Sequence, residues 1–322
     1  MNFDKITSDA AERAMKFATE PYWRPEWEDL LHEGITIDFP NAPPGMPQHF
    51  EDFGMFVYKL WMNRTVRSWN VEIERFHETP GEDMFWAVGQ IHAEVRWGGK
   101  DSLLETKFIM RIRMKDGKVF HVKQMMDPLK FLAAAGREVP IFRMDLNHEK
   151  IDEFLKQETE EAITGQLGEL DMSPEAIEER RFNNLRAFTG GDYYAEVPKL
   201  LTMAPDAANG VFFLPPEMKS EYPPEMIPRV EAWTHLSCPV LSFYHNGAWY
   251  PTEDPNLFFA EYSCYGDSEW LGNGVSGHYQ NSYFYLILLD DAGRMCYWEE
   301  YLNTINKFNS INVSIPSFPY FF

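Results

Sequence analysis

The sequence predicts an α+β protein built as a tandem repeat, each half a group of helices followed by a curved sheet. The stretches GKVFHVKQMMDPLKFLAAAGREVP (117–140) and GRMCYWEEYLNTINKFNSINVSIP (293–316) both run from Gly to Pro and align without a gap. MFWA (84–87) answers LFFA (257–260) with a small change of offset. In both halves helix-like sequence precedes runs of period-two alternation.

The first half opens with the helical segments DAAERAMKFA (9–18) and RPEWEDLLHEG (24–34). ITIDFPNAPPGMPQHF (35–50) is then extended and ends in a Pro/Gly-rich loop, followed by a short helix, EDFGMFVYKLWMN (51–63). SWNVEIERFHE, MFWAVGQIHAEVRW, LLETKFIMRIRMK and KVFHVKQMM alternate as strands, and the turns TPGED and KDGK join them into an antiparallel meander. Residues 148–188 are charged and helix-forming, interrupted by GQLGELDMSPE, where Asp171 or Ser173 is placed to cap a new helix. The lobe boundary falls here, giving lobes 1–165 and 166–322. The second half repeats the order. An opening helix leads into PKLLTMAPDAANGVFFLPP, the short helix PRVEAWTHL, and strands in LSFYHNGAWYP, LFFAEYSCYG, YQNSYFYLILL and GRMCYWEEYLN.

The chain has 322 residues, 44% of them hydrophobic and 16% aromatic, ample for two packed cores. A net charge of −21 disfavours nucleic acid and anionic membrane surfaces as partners. Met-Asn-Phe-Asp offers no signal peptide, and the strongest apolar run, YFYLILL (283–289), is strand length, not membrane length. Cys238, Cys264 and Cys296 are widely spaced and odd in number, fitting neither a disulfide framework nor a zinc knuckle. A cytoplasmic protein is expected. No HExxH, CxxC, phosphate loop or GxGxxG occurs, and HFED (49–52) lacks metal-site spacing.

DFPNAPPGMP followed by a short helix resembles the SnoaL-like polyketide cyclases and the wider nuclear-transport-factor-2-like superfamily. GNGVSGHYQNSYFY (272–285) and EEYLNTINKFNSINVSIPSF (299–318) are similar to the phenazine-biosynthesis A/B family, whose pattern covers the second lobe almost end to end. The resemblance implies two cone-shaped α+β barrels, each a strongly curved antiparallel sheet closed by helices, paired as a pseudo-dimer within one chain, with further oligomerisation open. It implies cofactor-free, metal-free acid/base chemistry on a small molecule, in which a pocket Glu assists condensation of an aminoketone to an imine. That Glu falls on Glu300. Tyr279 falls on a pocket tyrosine and Thr234 on a pocket serine. Trp298 and His278 are further candidate substrate contacts, though alternation turns His278, next to Tyr279, outward. The sequence departs from the pattern at Val230, where the family has a His, and lacks the family's N-terminal-helix Arg; both changes put a phenazine precursor itself in doubt. His235 and His245 lie near enough to substitute.

The residues support Glu300 separately. Phe120 and Val122 alternate with His121 and Lys123, which puts Gln124 on the inward face; Cys296, Trp298 and Glu300 are the aligned inward set. A carboxyl beside Trp, with no cation adjacent on its face, has its pKa raised by desolvation and suits proton donation near neutrality. Glu299 is then outward. Gln124 hydrogen-bonds but exchanges no proton. His92, Glu94 and Arg96, and likewise Arg111 and Arg113, share faces that form a charged exterior, a lobe–lobe interface or an altered second pocket. The functions left open are a condensing or dehydrating enzyme of secondary metabolism, a SnoaL-type cyclase or isomerase, and a non-catalytic binding or scaffold protein.

Overall fold

The computed structural model describes residues 8–141, 148–162, 170–187, 191–214, 221–244, 249–269, 277–319 and 321. The first lobe holds α1 (Asp9–Thr19), a 3-10 turn (Pro25–Leu30), β1 (Leu31–Asp38), β2 (His49–Phe50), α2 (Asp52–Thr65), β3 (Val66–Glu78), β4 (Met84–Trp97), β5 (Lys100–Lys115), β6 (Lys118–Met126) and α3 (Pro128–Ala134). α4 (His148–Ala162) and α5 (Pro174–Arg186) follow. The second lobe's sheet and helices are β7 (Gly191–Asp192), α6 (Tyr193–Leu200), β8 (Met203–Phe212), β9 (Glu221–Tyr222), α7 (Ile227–Ser237), β10 (Val240–Tyr244), β11 (Trp249–Pro251), β12 (Leu257–Ser268), β13 (Gly277–Leu289), β14 (Met295–Leu302) and α8 (Thr304–Ser310).

Each lobe has its own sheet, ordered β2-β1-β6-β5-β4-β3 in the first and β7-β10-β12-β13-β14-β8-β9 in the second, with β11 on β12. The ungapped alignment predicted from sequence is a structural register. β6 matches β14, and the helix after each starts at the aligned residue, capped by Asp127 in one lobe and Asn303 in the other. Both caps accept a backbone N–H two residues on, so the same local chemistry turns strand into helix twice.

Three sequence expectations are corrected. Neither sheet is wholly antiparallel: β1 runs parallel to β6, and β8 parallel to β14. In each case a helix and the rest of the meander lie between the two strands, which lets the later one return in the same direction. The helix expected over 24–34 stops at the 3-10 turn, because Leu31 already pairs with Val119 and the run Ile35-Thr36-Ile37 is β-branched. Alternation in β6 is broken by a register shift opposite Arg113 and Met114, so Val119 and Val122 are buried and Phe120 is only half-buried, against the ring of His32.

Helices cover one face of each sheet, and the other lobe's sheet covers the opposite face. The lobe–lobe layer contains Met84, Trp86, Ile109 and Met125 from one side and Phe259, Phe284, Leu286 and Tyr301 from the other. Trp86 and Phe259, the aligned residues of MFWA and LFFA, stack on each other at 4.7 Å and 3°. With both faces buried, these strands read as nearly continuous apolar runs. Arg111 lies in this layer, 8% exposed and bound to Glu261, which settles its place as interface. Arg113 and the His92, Glu94, Arg96 face remain toward solvent. α4, inside the first lobe by the boundary at 165, lies against α7 of the second through Arg229–Asp152 and the Phe154–His235 ring contact. Ser173 caps α5 and Asp171 accepts the Ser173 N–H, so both candidate capping residues are used.

Candidate functional site

The inner face of the second sheet, roofed by α6, α7 and α8, encloses a cavity of about 130 Å³. β14 points Trp298 and Glu300 into it, and the parallel partner β8 contributes Asn209. The Trp298 indole N–H donates to Glu300 Oε1 at 2.9 Å, and the Asn209 amide donates to the same oxygen at 3.2 Å. Tyr285, directly across on β13, adds a hydrogen bond. Glu300 is half-buried, and it lines the cavity. Burial raises its pKa above the ordinary carboxylate value, and that is the largest influence. The Trp298 hydrogen bond, the charge of Lys307 and the Tyr285 and Asn209 hydrogen bonds oppose it without cancelling it.

β13 supplies a row of phenols. Tyr279, 2% exposed, shares a hydrogen bond with Tyr283 at 2.7 Å and accepts the Asn281 amide at 2.8 Å. Burial pushes the pKa of both tyrosines far up, so both stand as neutral hydroxyls. Thr234 on α7 lines the cavity, with its hydroxyl proton given to the Val230 carbonyl at 2.8 Å and its oxygen left as an acceptor. Val230 itself lines the wall where the family pattern has a His.

The structure therefore gathers Glu300, Trp298, Tyr279 and Thr234 around one space. His278 is corrected: it is exposed, pairs with Asp267 across the strands, and is not in the cavity wall. Odd-numbered residues of β13 point inward and His278 is even-numbered, beyond the end of the lobe–lobe contact. His235 packs its ring 4.0 Å from Tyr194 and 4.7 Å from Phe154, between helices. His245 lies outside the described residues. Cys296 is in the inward set by alternation, but its thiol donates to the Leu288 carbonyl and does not line the cavity. Glu299 lies on the opposite face as expected, but that face is covered: the residue is buried, 4% exposed, between the lobes. It accepts the hydroxyls of Tyr297, at 3.1 Å, and Tyr301, with Arg75 3.9 Å away.

Sequence reasoning missed Lys307. It is 7% exposed, lines the cavity from α8, and carries an ammonium whose pKa burial pulls down to about 8, against the opposing charge of Glu300. The available signal was the repeat, which aligns Lys307 with Phe131, a core position of the first lobe. That lobe's corresponding cavity is only about 30 Å³ and is lined by Gln124, Tyr22, Tyr58, Trp61 and Phe131. Gln124 occupies the place of Glu300, Ile37 that of Asn209 and Met110 that of Tyr285 by strand register. Among the described residues no group of three His, Cys, Asp or Glu side chains is arranged to hold a metal ion. No described helix is long and apolar enough to cross a membrane.

No family model matches the chain. It is 31% identical over 116 residues to an uncharacterized PhzA/B-like protein of Pseudomonas aeruginosa, covering 34% of this chain and 77% of that protein. Among solved structures, a phenazine biosynthesis-related protein of Pseudomonas aeruginosa is 19% identical with a TM-score of 0.36, over 49% of this chain and 96% of that one. A nuclear-transport-factor-2-like protein of Burkholderia xenovorans is 16% identical with a TM-score of 0.30, over 39% and 95%.

Proposed function

The chain belongs to the PhzA/B-like family, and we propose that its second lobe is a cofactor-independent acid/base enzyme, condensing or cyclising a small carbonyl-bearing intermediate of secondary metabolism. The observation that carries this reading is the Glu300 carboxyl, which lines a cavity of about 130 Å³ and has its pKa raised by burial. A carboxyl tuned upward holds its proton nearer neutral pH and donates it readily. Trp298 and Asn209 both donate to Oε1, so the exchangeable proton sits on Oε2. In an imine-forming condensation Glu300 protonates the carbinolamine hydroxyl, water leaves, and the carboxylate recovers a proton from the nitrogen. Tyr279 and the Thr234 oxygen orient the substrate's polar groups, and Trp298 supplies a flat apolar wall. The same acid serves a cyclase or isomerase reaction if the substrate presents an acidic carbon instead of an amine.

Glu300→Gln keeps the shape and removes the proton. Turnover of aminoketone or β-dicarbonyl substrates, followed by mass spectrometry, should fall by about 10² to 10⁴-fold with ligand affinity retained. Undiminished turnover in this variant sinks the reading, and bound ligand without turnover in the native chain leaves a binding role in its place.

A further inference from the structure

Resting on that reading of the cavity, we infer that the chain supplies its own amine: Lys307 attacks the carbonyl carbon of the ligand and holds it as an imine, with Glu300 as the acid that expels water. Three observations lead there. First, Lys307 and Glu300 line the same enclosed space, from α8 and from β14. Second, the two occur together and are replaced together. The first lobe has Gln124 and Phe131 at the aligned positions, and there the space has nearly closed. A lysine retained only for helix solubility would face water, whereas this one is 7% exposed. Third, its position is fixed. Asn303 caps α8 and is itself clamped, its N–H donating to the Asn281 side chain at 3.1 Å and its carbonyl accepting the Asn281 amide at 3.2 Å. That clamp sets the first turn of the helix and so the direction in which Lys307 projects.

The chemistry balances without an added oxidant or reductant. The neutral amine's lone pair forms a C–N bond as the carbonyl π pair moves to oxygen, and a proton passes from nitrogen to that oxygen, giving a carbinolamine. Glu300 protonates the hydroxyl, the C–O bond breaks, water leaves, and the iminium N–H returns a proton to the Glu300 carboxylate. Burial favours the neutral amine this requires. With a pKa of about 8 against about 10.4 for a solvated lysine, the neutral fraction at pH 7 is on the order of 10²-fold larger.

The test uses the full chain, cyclohexanone as a neutral carbonyl compound, and cyanoborohydride to reduce any imine to a stable secondary amine. Peptide mapping of the native chain should find Lys307 alkylated at least about tenfold faster than any solvent-exposed lysine. Glu300→Gln should slow that labelling, and Lys307→Met, checked for native circular dichroism, should abolish the fast phase. Lys307 unlabelled in the native chain while surface lysines react overturns the inference, whatever the folding of the variants. Such a failure leaves the acid role of Glu300 standing if Glu300→Gln still abolishes turnover. Conversely, fast labelling of Lys307 with full turnover in Glu300→Gln removes the acid role instead.

Discussion

Replacing Glu261 by Gln tests what fixes the two lobes in register. Glu261 is 6% exposed in the lobe–lobe layer and binds the Arg111 guanidinium and, at 2.6 Å, the Lys123 ammonium. The Arg111 side chain is 9% exposed, and its other partner is the Tyr250 hydroxyl at 3.1 Å. Gln preserves volume and one acceptor oxygen but removes the charge, so a buried guanidinium is left among neutral groups. Removing one partner of a buried ion pair costs about 3–5 kcal/mol. The lower end applies here, because the Lys123 side chain is 26% exposed and can turn to water. About 3 kcal/mol corresponds to a melting point lower by about 4–5 °C for a chain of this size. Calorimetric melting should show that drop for Glu261→Gln. The triple variant R111M/K123M/E261L, which makes the whole cluster apolar, should melt close to the native chain, since well-packed apolar replacements of buried ion pairs are neutral or stabilising. A Glu261→Gln melt indistinguishable from native, or a triple variant as unstable as the single one, refutes the argument that the cluster acts through charge pairing and not through packing.

Glu299→Gln should leave turnover per folded molecule unchanged, because Glu299 faces the other lobe. It should lower stability by about 1–3 kcal/mol, as the hydroxyls of buried Tyr301 and half-buried Tyr297 lose an acceptor, measured by urea unfolding beside an activity assay. Asp127→Asn should stabilise the chain at alkaline but not at acidic pH. Burial raises the Asp127 pKa from 3.8 to about 6 in the folded state, so its contribution is fully present below the unfolded value and is lost as pH rises through about 6, by up to about 3 kcal/mol. Asparagine already caps α8 at the aligned position, and melting curves at about pH 4 and about pH 8 decide the matter, equal shifts at both counting against it.

Much of the repeat was legible because it is local. A strand of alternating residues, a capping Asp or Asn, and a helix of fixed length survive in both copies, and they carry Glu300 to the cavity side with Trp298. The parallel pairing of β1 with β6 was not legible, since it joins segments far apart in sequence and no turn residue announces it. Period-two alternation separates two faces but does not say what covers each. Glu299 therefore reads only as facing away from the cavity until the first lobe's sheet is seen lying on it, and alternation already turns His278 away from Tyr279, in keeping with its exposure. Lys307 was hidden for a different reason. A lysine one turn into a short helix ordinarily belongs to water, and only its alignment with the buried Phe131 marks it as inward.

On the proposed function the two lobes divide stability and chemistry between them, and one chain is what permits the division. In a homodimer every substitution appears in both cavities, so an acid and a lysine needed in one must be buried in both. Each buried ionisable group costs desolvation that packing does not return. Here the first lobe has Ile37, Met110, Gln124 and Phe131 at the places of Asn209, Tyr285, Glu300 and Lys307, and its cavity is only about 30 Å³. An apolar side chain in such a place contributes about 1.5–3 kcal/mol by leaving water. The second lobe keeps the open space and the two strained titrations, and it leans on the first through the Trp86–Phe259 stack and the Glu261 cluster. On that proposal the filled cone offsets the instability of the working one, which accounts for the glutamine where the repeat's other copy has an acid.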